Sequence, residues 1–183
     1  MQNYLSGITE DLLLKAQKIR LLITDVDGVL TDGGIIFDDN GLELKKFNVK
    51  DGYIIAALRR SGVMVGAITG RTSRVVENRC EELNFDFHYQ GVLDKRKKFL
   101  EIVETLEIGL DEVAFIGDDL IDLPMLSIVG LSACPVDAMP YICDKVDFVS
   151  SLGGGKGCFR EFSDLILTSK GVLSEMIEKL SQK

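Results

Sequence analysis

The chain has 183 residues, of which 46% are hydrophobic and 27% are charged, a composition typical of a folded globular protein. This length predicts one domain, residues 1–183, with a single core. The formal net charge of -8 disfavours broad binding to nucleic acid or to an anionic membrane, because both need an excess of Lys and Arg. A small anionic substrate stays compatible with this charge, since a metal ion and a few local cations can override the overall field.

The cysteine and histidine content argues against a zinc site. The four cysteines form no Cys-x-x-Cys pair, and His88 is the only histidine. We therefore expect reduced, structural thiols and a packed, non-catalytic His88. The first ten residues lack the basic start and apolar core of a signal peptide, and no apolar run approaches membrane-spanning length, which predicts a cytoplasmic protein without membrane contact.

The first part of the chain predicts a helix, a buried strand and a hairpin. Residues 9–19 have helical periodicity with Thr9 as the N-cap, and the aliphatic run from Leu21 predicts a buried strand. An Asn-Gly pair between two β-prone runs predicts a β-hairpin within residues 31–48. The apolar hairpin residues have little domain beneath them, so we expect them to pack against another subunit.

Helices and strands then alternate to the end of the chain. Asp51 is expected to cap a helix that ends near Gly62. The remaining predicted elements are a strand at 63–68, a helix at 72–83, a strand at 87–90, a helix from 95, strands at 112–116 and 131–133, a helix at 137–143, an edge strand at 147–149, and a Gly-rich joint with a C-terminal helical tail at 151–183. This alternation predicts an α/β fold with a doubly wound parallel sheet.

Two carboxylates end the first buried strand. Asp25 and Asp27 are two positions apart, so in an extended backbone both side chains occupy one small volume. Two acids that close repel each other unless a proton or a cation lies between them. A divalent metal site is one interpretation, and a pair of solvated acids in a strand-to-helix turn is the alternative.

Polar residues also follow two later core strands. Thr69 ends the strand at 63–68, and Gly117-Asp118-Asp119 ends the strand at 112–116. Ligands of doubly wound sheets bind beyond the carboxyl ends of the strands, where all these side chains would gather. One polar strand end has little meaning alone, but three at a common edge predict a site.

The gathered residues suit hydrolysis of a phosphate ester. Asp25 would attack phosphorus, and Asp27 would protonate the leaving oxygen and then activate water. Thr69 would donate a hydrogen bond to a phosphoryl oxygen, and Lys95 would place a positive charge beside it. The expected Mg²⁺ ligands are Asp25, the backbone carbonyl of Asp27, and Asp118, with Asp119 and Asp122 holding the metal's waters or orienting Lys95.

These motifs resemble those of a known superfamily. Asp25-Val-Asp27-Gly-Val-Leu-Thr, Thr69-Gly-Arg, Lys95 and Gly117-Asp-Asp-Leu-Ile-Asp-Leu-Pro are similar, in order, to the four motifs of the haloacid dehalogenase superfamily of phosphohydrolases. The resemblance is closest to the capless 3-deoxy-D-manno-octulosonate 8-phosphate phosphatases, and it continues through the hairpin and the Gly-Gly-Gly-Lys-Gly…Arg-Glu tail. It implies a role in lipopolysaccharide biosynthesis.

The segments between the motifs are too short for an inserted lid domain. The resemblance implies a homotetramer instead, whose hairpins cover the active sites of neighbouring subunits. It also implies a substrate-binding set of Gly28, Gly70, Arg71 and Arg160, with the two arginines near the sugar carboxylate.

Several alternatives stay open at this level. The alternative substrate is the nine-carbon 2-keto-3-deoxynonulosonate 9-phosphate, and the alternative of another class is a non-catalytic tetramerisation module. The glycine run at 153–157 lacks the spacing of a nucleotide-binding loop and is equally compatible with a flexible joint. Arg71 could be a surface residue, and the three basic residues after Lys95 are expected to form a solvated face.

Overall fold

The computed structural model describes residues 8–182, and a parallel sheet forms its centre. The strands are β1 (Leu21–Thr24), β2 (Ile36–Phe37), β3 (Glu43–Leu44), β4 (Met64–Ile68), β5 (Phe87–Tyr89), β6 (Val113–Ile116), β7 (Leu131–Cys134) and β8 (Phe148–Val149). Six of them form the sheet in the order β5-β4-β1-β6-β7-β8, and every pairing in it is parallel. The predicted α/β fold is therefore confirmed.

Helices cover both faces of this sheet. They are α1 (Glu10–Lys18), α2 (Val49–Arg60), α3 (Arg74–Glu82), α4 (Lys95–Thr105), α5 (Leu123–Leu126), α6 (Pro140–Cys143), α7 (Cys158–Ser169) and α8 (Val172–Ser181). Leu22 of β1 belongs to a core shared with α1, α2, α3 and α7, whereas its neighbours Leu21 and Ile23 belong to a second core shared with α4, α5 and α6. Alternate residues of one strand thus face opposite layers, as the doubly wound arrangement requires.

The winding of the chain reverses beside β1. From β1 it passes outward through β4 to β5, and then crosses to β6 on the other side of β1. Thr24 is level with Ala67 of β4 and with Ile116 of β6, so these three strands end at nearly the same height. The residues that follow them share the crevice at the carboxyl edge, which is where such sheets bind ligands.

The predicted hairpin is present but short. β2 and β3 pair antiparallel in a separate two-stranded sheet, with Ile36 level with Leu44. Asp38 stabilises the turn, because its carboxylate accepts hydrogen bonds from the backbone amides of Asn40 and Leu42. The apolar side chains of this sheet are about half exposed; they are Ile35, Ile36, Phe37, Leu42 and Leu44.

Of the two predicted helix caps, one is present and one is not. Thr9 caps α1 through a hydrogen bond from Leu12, and Asp94 caps α4 through one from Lys97. The predicted cap Asp51 is wrong, because α2 begins earlier and Asn48 caps it. Asp51 is instead buried in the first turn of α2, where it accepts a hydrogen bond from the backbone amide of Arg160 at 2.8 Å.

The glycine segment at 153–157 is packed rather than a loose joint. Gly154 donates to Asp137 at 2.9 Å, and Gly155 donates to the carbonyl of Val29 at 2.9 Å. A Cβ on Gly154 would overlap the carbonyl of Gly28, so this position needs glycine for close approach to the loop after β1. The segment leads directly into α7, whose apolar face is buried against α1 and α2.

The four cysteines form no disulfide, as predicted. No helix within residues 8–182 is long and apolar enough to cross a membrane.

Candidate active site

Asp25 follows β1 directly and is 4% exposed. Its backbone amide donates to the carbonyl of Ile116 at 3.0 Å, which ties the ends of β1 and β6 together. The ammonium of Lys95 lies 2.8 Å from Oδ1 of Asp25. The sheet therefore presents a buried carboxylate to a cation at its carboxyl edge.

Lys95 is the first residue of α4 and is itself 4% exposed. Its Nζ also lies 2.8 Å from Oδ1 of Asp122, so it bridges two carboxylates. Burial opposes its charge, but the two carboxylates outweigh burial and raise the pKa of Lys95 above its ordinary value. Lys95 is therefore a permanent cation in the site.

Asp122 anchors the loop that follows β6. Its Oδ2 accepts hydrogen bonds from the backbone amides of Asp118 and Asp119 at 3.1 and 3.5 Å, while its Oδ1 holds Lys95. The residue is completely buried. This accounts for the acid spacing seen in the sequence, because the side chain of Asp122 shapes the turn that carries Asp118.

A cluster of three acids can hold a cation. Carboxylate oxygens of Asp25, Asp118 and Asp122 all lie within 4.8 Å of one another. Burial and then the charge of Asp122 raise the pKa of Asp25, and burial with the charges of Asp122 and Asp119 raises the pKa of Asp118 to about 7. Carboxylates that are this reluctant to ionise alone are suited to a bound divalent cation, which would favour their charged forms.

Gly28 makes room for this cluster. Its φ is +95°, and a Cβ there would overlap the carboxylate of Asp118. Only glycine combines this backbone conformation with so close an approach. The glycine that follows Asp27 therefore serves the geometry of the acids.

The second motif lies beside the first, as predicted. Thr69 follows β4, is 3% exposed, and its hydroxyl accepts a hydrogen bond from the backbone amide of Arg71 at 3.3 Å. A Cβ added to Gly70 would lie 3.7 Å from the carbonyl oxygen of Val92, which is an ordinary van der Waals contact. Both residues line the same carboxyl edge as Asp25.

Asp27 points into a group of charges that sequence reasoning missed. The ammonium of Lys45 contacts its Oδ1, and Nε of Arg71 lies 3.7 Å from its Oδ2. Glu43 joins them, with its Oε1 at 2.8 Å from Arg71 and 3.4 Å from Lys45. The pattern that could have suggested Lys45 is the alternation of charged and apolar residues in the hairpin, although the direction of each face was not evident from it.

Two predicted residues lie outside this arrangement. The guanidinium of Arg160 pairs with Asp164 at 2.8 Å and lies 5.9 Å from the ring of Tyr53, so its described contacts are within α7 and α2. Asp119 is exposed, with its carboxylate accepting from the amide of Leu120. Of Asp119 and Asp122, it is Asp122 that contacts Lys95 and orients it.

Comparisons with known proteins agree with this site. The site has a buried aspartate at the end of the first strand, a bridging lysine and an acidic loop after β6, which together define a haloacid dehalogenase-like hydrolase. The family model described as haloacid dehalogenase-like hydrolase matches residues 87–152. The 3-deoxy-D-manno-octulosonate 8-phosphate phosphatase KdsC of Escherichia coli K12 is 46% identical over 168 residues, 92% of this chain and 89% of that protein. This chain belongs to the 3-deoxy-D-manno-octulosonate 8-phosphate phosphatase family.

Solved structures give the same result. The phosphatase of this family from Yersinia pestis superposes with a TM-score of 0.89 at 44% identity, covering 91% of this chain and 90% of that one. The one from Moraxella catarrhalis, solved with magnesium, phosphate and a KDO molecule, superposes with a TM-score of 0.92 at 34% identity, covering 94% of this chain and 99% of that one.

Proposed function

We propose that this protein is a Mg²⁺-dependent phosphatase that hydrolyses 3-deoxy-D-manno-octulosonate 8-phosphate to the free sugar acid and phosphate, a step of lipopolysaccharide biosynthesis. The observation that carries the proposal is the group of buried Asp25, Lys95 and Asp122 with partly buried Asp118, in a chain that is 46% identical to enzymes of that activity. The cytoplasmic location expected from the sequence stays part of the proposal.

The residues fit a magnesium ion. Mg²⁺ prefers oxygen ligands and usually retains several waters, so it needs only a few protein carboxylates. Asp25 and Asp118 supply these, with the backbone carbonyl of Asp27 as a third ligand, while Asp122 is occupied by Lys95 and two amides. When bound, the ion would offset the repulsion between the Asp25 carboxylate and the phosphoryl oxygens.

Asp25 is the proposed nucleophile. One of its carboxylate oxygens forms a bond to phosphorus as the bond between phosphorus and the sugar oxygen breaks, which leaves an aspartyl phosphate. Asp27 gives a proton to the departing oxygen, and later removes one from the water that hydrolyses the aspartyl phosphate. Lys95 and the Thr69 hydroxyl stabilise the charge that spreads over the phosphoryl oxygens.

The leaving sugar acid carries a carboxylate, for which the proposal keeps Gly28, Gly70, Arg71 and Arg160 as substrate-binding residues. The position of Arg71 supports a role in binding substrate, because its side chain is 41% exposed and borders Asp27. Arg160 is held by Asp164, so a contact with substrate would require it to leave that ion pair.

A homotetramer is the proposed assembly. The exposed apolar side chains of the hairpin form a surface that a second copy of the chain would cover, and hairpins packed in this way would lie over neighbouring active sites. This would exclude water from sites that no lid domain within residues 8–182 covers.

A substrate comparison tests the proposal. The purified protein with Mg²⁺ should release phosphate from the eight-carbon ester with a higher kcat/KM than from 2-keto-3-deoxynonulosonate 9-phosphate. Asp25→Asn should lower the rate by at least about 1000-fold, because the amide is not a nucleophile. A higher kcat/KM for the nine-carbon ester would change the substrate, undiminished activity in Asp25→Asn would remove the nucleophile, and absence of activity in the wild type would favour a non-catalytic module.

A further inference from the structure

Lys45 is buried in an element that is otherwise exposed. It follows β3, and its side chain is 1% exposed, whereas the apolar side chains of the same hairpin are about half exposed. An ammonium group removed from water is stable only when it is well paired. The energetically unfavourable burial of Lys45 thus requires its partners, which are Asp27 and Glu43.

Lys45 holds one oxygen of the Asp27 carboxylate, and the other oxygen is buried without a hydrogen-bond partner among residues 8–182. Lys45 contacts Oδ1, and Arg71 approaches Oδ2 at 3.7 Å. Glu43 accepts from Arg71 at 2.8 Å and lies 3.4 Å from Lys45, so it fixes the positions of both cations. The side chain of Asp27 is therefore anchored through Oδ1, and it is not part of the cluster of Asp25, Asp118 and Asp122.

We propose that Lys45 is a positioning residue for the reaction and acts through Asp27. It holds the Asp27 carboxyl in the orientation needed for proton transfer to the leaving oxygen. The proton passes from Asp27 to that oxygen, and Lys45 contributes to the transfer only by holding the carboxyl in place. This inference rests on the proposed acid–base role of Asp27.

A comparison of kcat/KM between esters with different leaving groups tests this role of Lys45. A sugar alkoxide leaves only with a proton, whereas 4-nitrophenolate leaves without one. The value of kcat/KM reports steps up to departure of the leaving group, so later hydrolysis of the aspartyl phosphate does not enter it. Loss of Lys45 should therefore reduce kcat/KM for the sugar ester and leave that for 4-nitrophenyl phosphate nearly unchanged.

Lys45→Met removes the ammonium while keeping a long unbranched side chain, and Lys46→Met is its matched control on the exposed side of the same hairpin. We expect Lys45→Met to lower kcat/KM for the sugar ester by about 100-fold, with a change below about threefold for 4-nitrophenyl phosphate. Lys46→Met should match the wild type on both esters. An equal loss on both esters, or no loss on either, would overturn the proposal.

A double-mutant cycle separates this inference from the proposed function. If Lys45 acts through Asp27, Lys45→Met should have little further effect on kcat/KM in an Asp27→Asn background. The same four proteins can also be compared by their urea unfolding midpoints, a measurement that requires no activity. The shifts in midpoint should again be non-additive. Additive shifts would overturn the pairing of Lys45 with Asp27, whereas failure of the proposed function would instead appear as a wild type inactive on the sugar ester.

Discussion

Both oxygens of Asp122 contact other groups of the protein, and these contacts define what it does. One oxygen holds Lys95 and the other accepts from the amides of Asp118 and Asp119. The residue is fully buried, so its negative charge is strongly felt by the neighbouring carboxyls. It therefore orders both Lys95 and the loop that carries Asp118.

Asp122→Asn should expose this dependence. An amide can still accept from the backbone of Asp118, but its NH₂ group would face the ammonium of Lys95 and lose the ion pair. We expect kcat to fall by about 10- to 100-fold and the Mg²⁺ concentration for half-maximal activity to rise. Steady-state rates over a magnesium titration measure both, with Asp144→Asn as an exposed control. Wild-type rates in Asp122→Asn would show that the loop and Lys95 are ordered without it.

At the scale of an element, the hairpin combines a charged face with an exposed apolar face. One face carries Lys45 and Glu43 into the charges around Asp27. The other face carries Ile36 and Leu44, which are level with each other and about half exposed. Because residues alternate along a strand, both faces follow from the same short run of sequence. Assembly through the apolar face would therefore restrain the charged face at the same time.

Ile36→Glu tests the assembly. Each buried isoleucine stabilises an interface by about 2 kcal/mol, and a glutamate at the same place would bring a charge into an apolar contact in every subunit. We expect size-exclusion chromatography with light scattering to give a smaller species for Ile36→Glu than for the wild type. Asn40→Glu adds the same charge at the turn of the hairpin and should leave the mass unchanged. A wild-type mass in both variants would place the interface elsewhere.

At the scale of the whole molecule, the order of elements and the catalytic edge were predictable from the sequence. Strands such as β6 are continuous apolar runs that stop abruptly at charged residues, and the rules of parallel sheets bring those ends together. The errors have a common cause. Asp51 accepts a hydrogen bond from the first turn of α7 and does not cap α2, because the amide of Arg160 lies beside it in space. Lys45 is buried because the hairpin returns to Asp27. Neither contact leaves a periodic pattern in the sequence.

The acid cluster also makes the stability of the whole molecule depend on pH and metal. In the metal-free protein the pKa of Asp118 is raised to about 7 and that of Asp51 to about 6, both chiefly by burial, and the pKa of Asp25 is raised as well. The folded protein therefore binds more protons than the unfolded chain between about pH 4, the ordinary pKa of Asp, and about pH 7. Stability of the metal-free protein should fall as the pH rises through this window.

Magnesium should reverse this loss, because it replaces the protons on Asp25 and Asp118. At a concentration of about 100 times Kd, the ion should raise Tm by roughly 5 to 10 °C near pH 8, and by much less near pH 5, where protons compete for the same oxygens. Thermal unfolding in EDTA and in MgCl₂ across this range measures the difference. Asp118→Asn should abolish the magnesium shift at both pH values. A shift that is equal at pH 5 and pH 8, or that persists in Asp118→Asn, would place the stabilising ion outside this cluster.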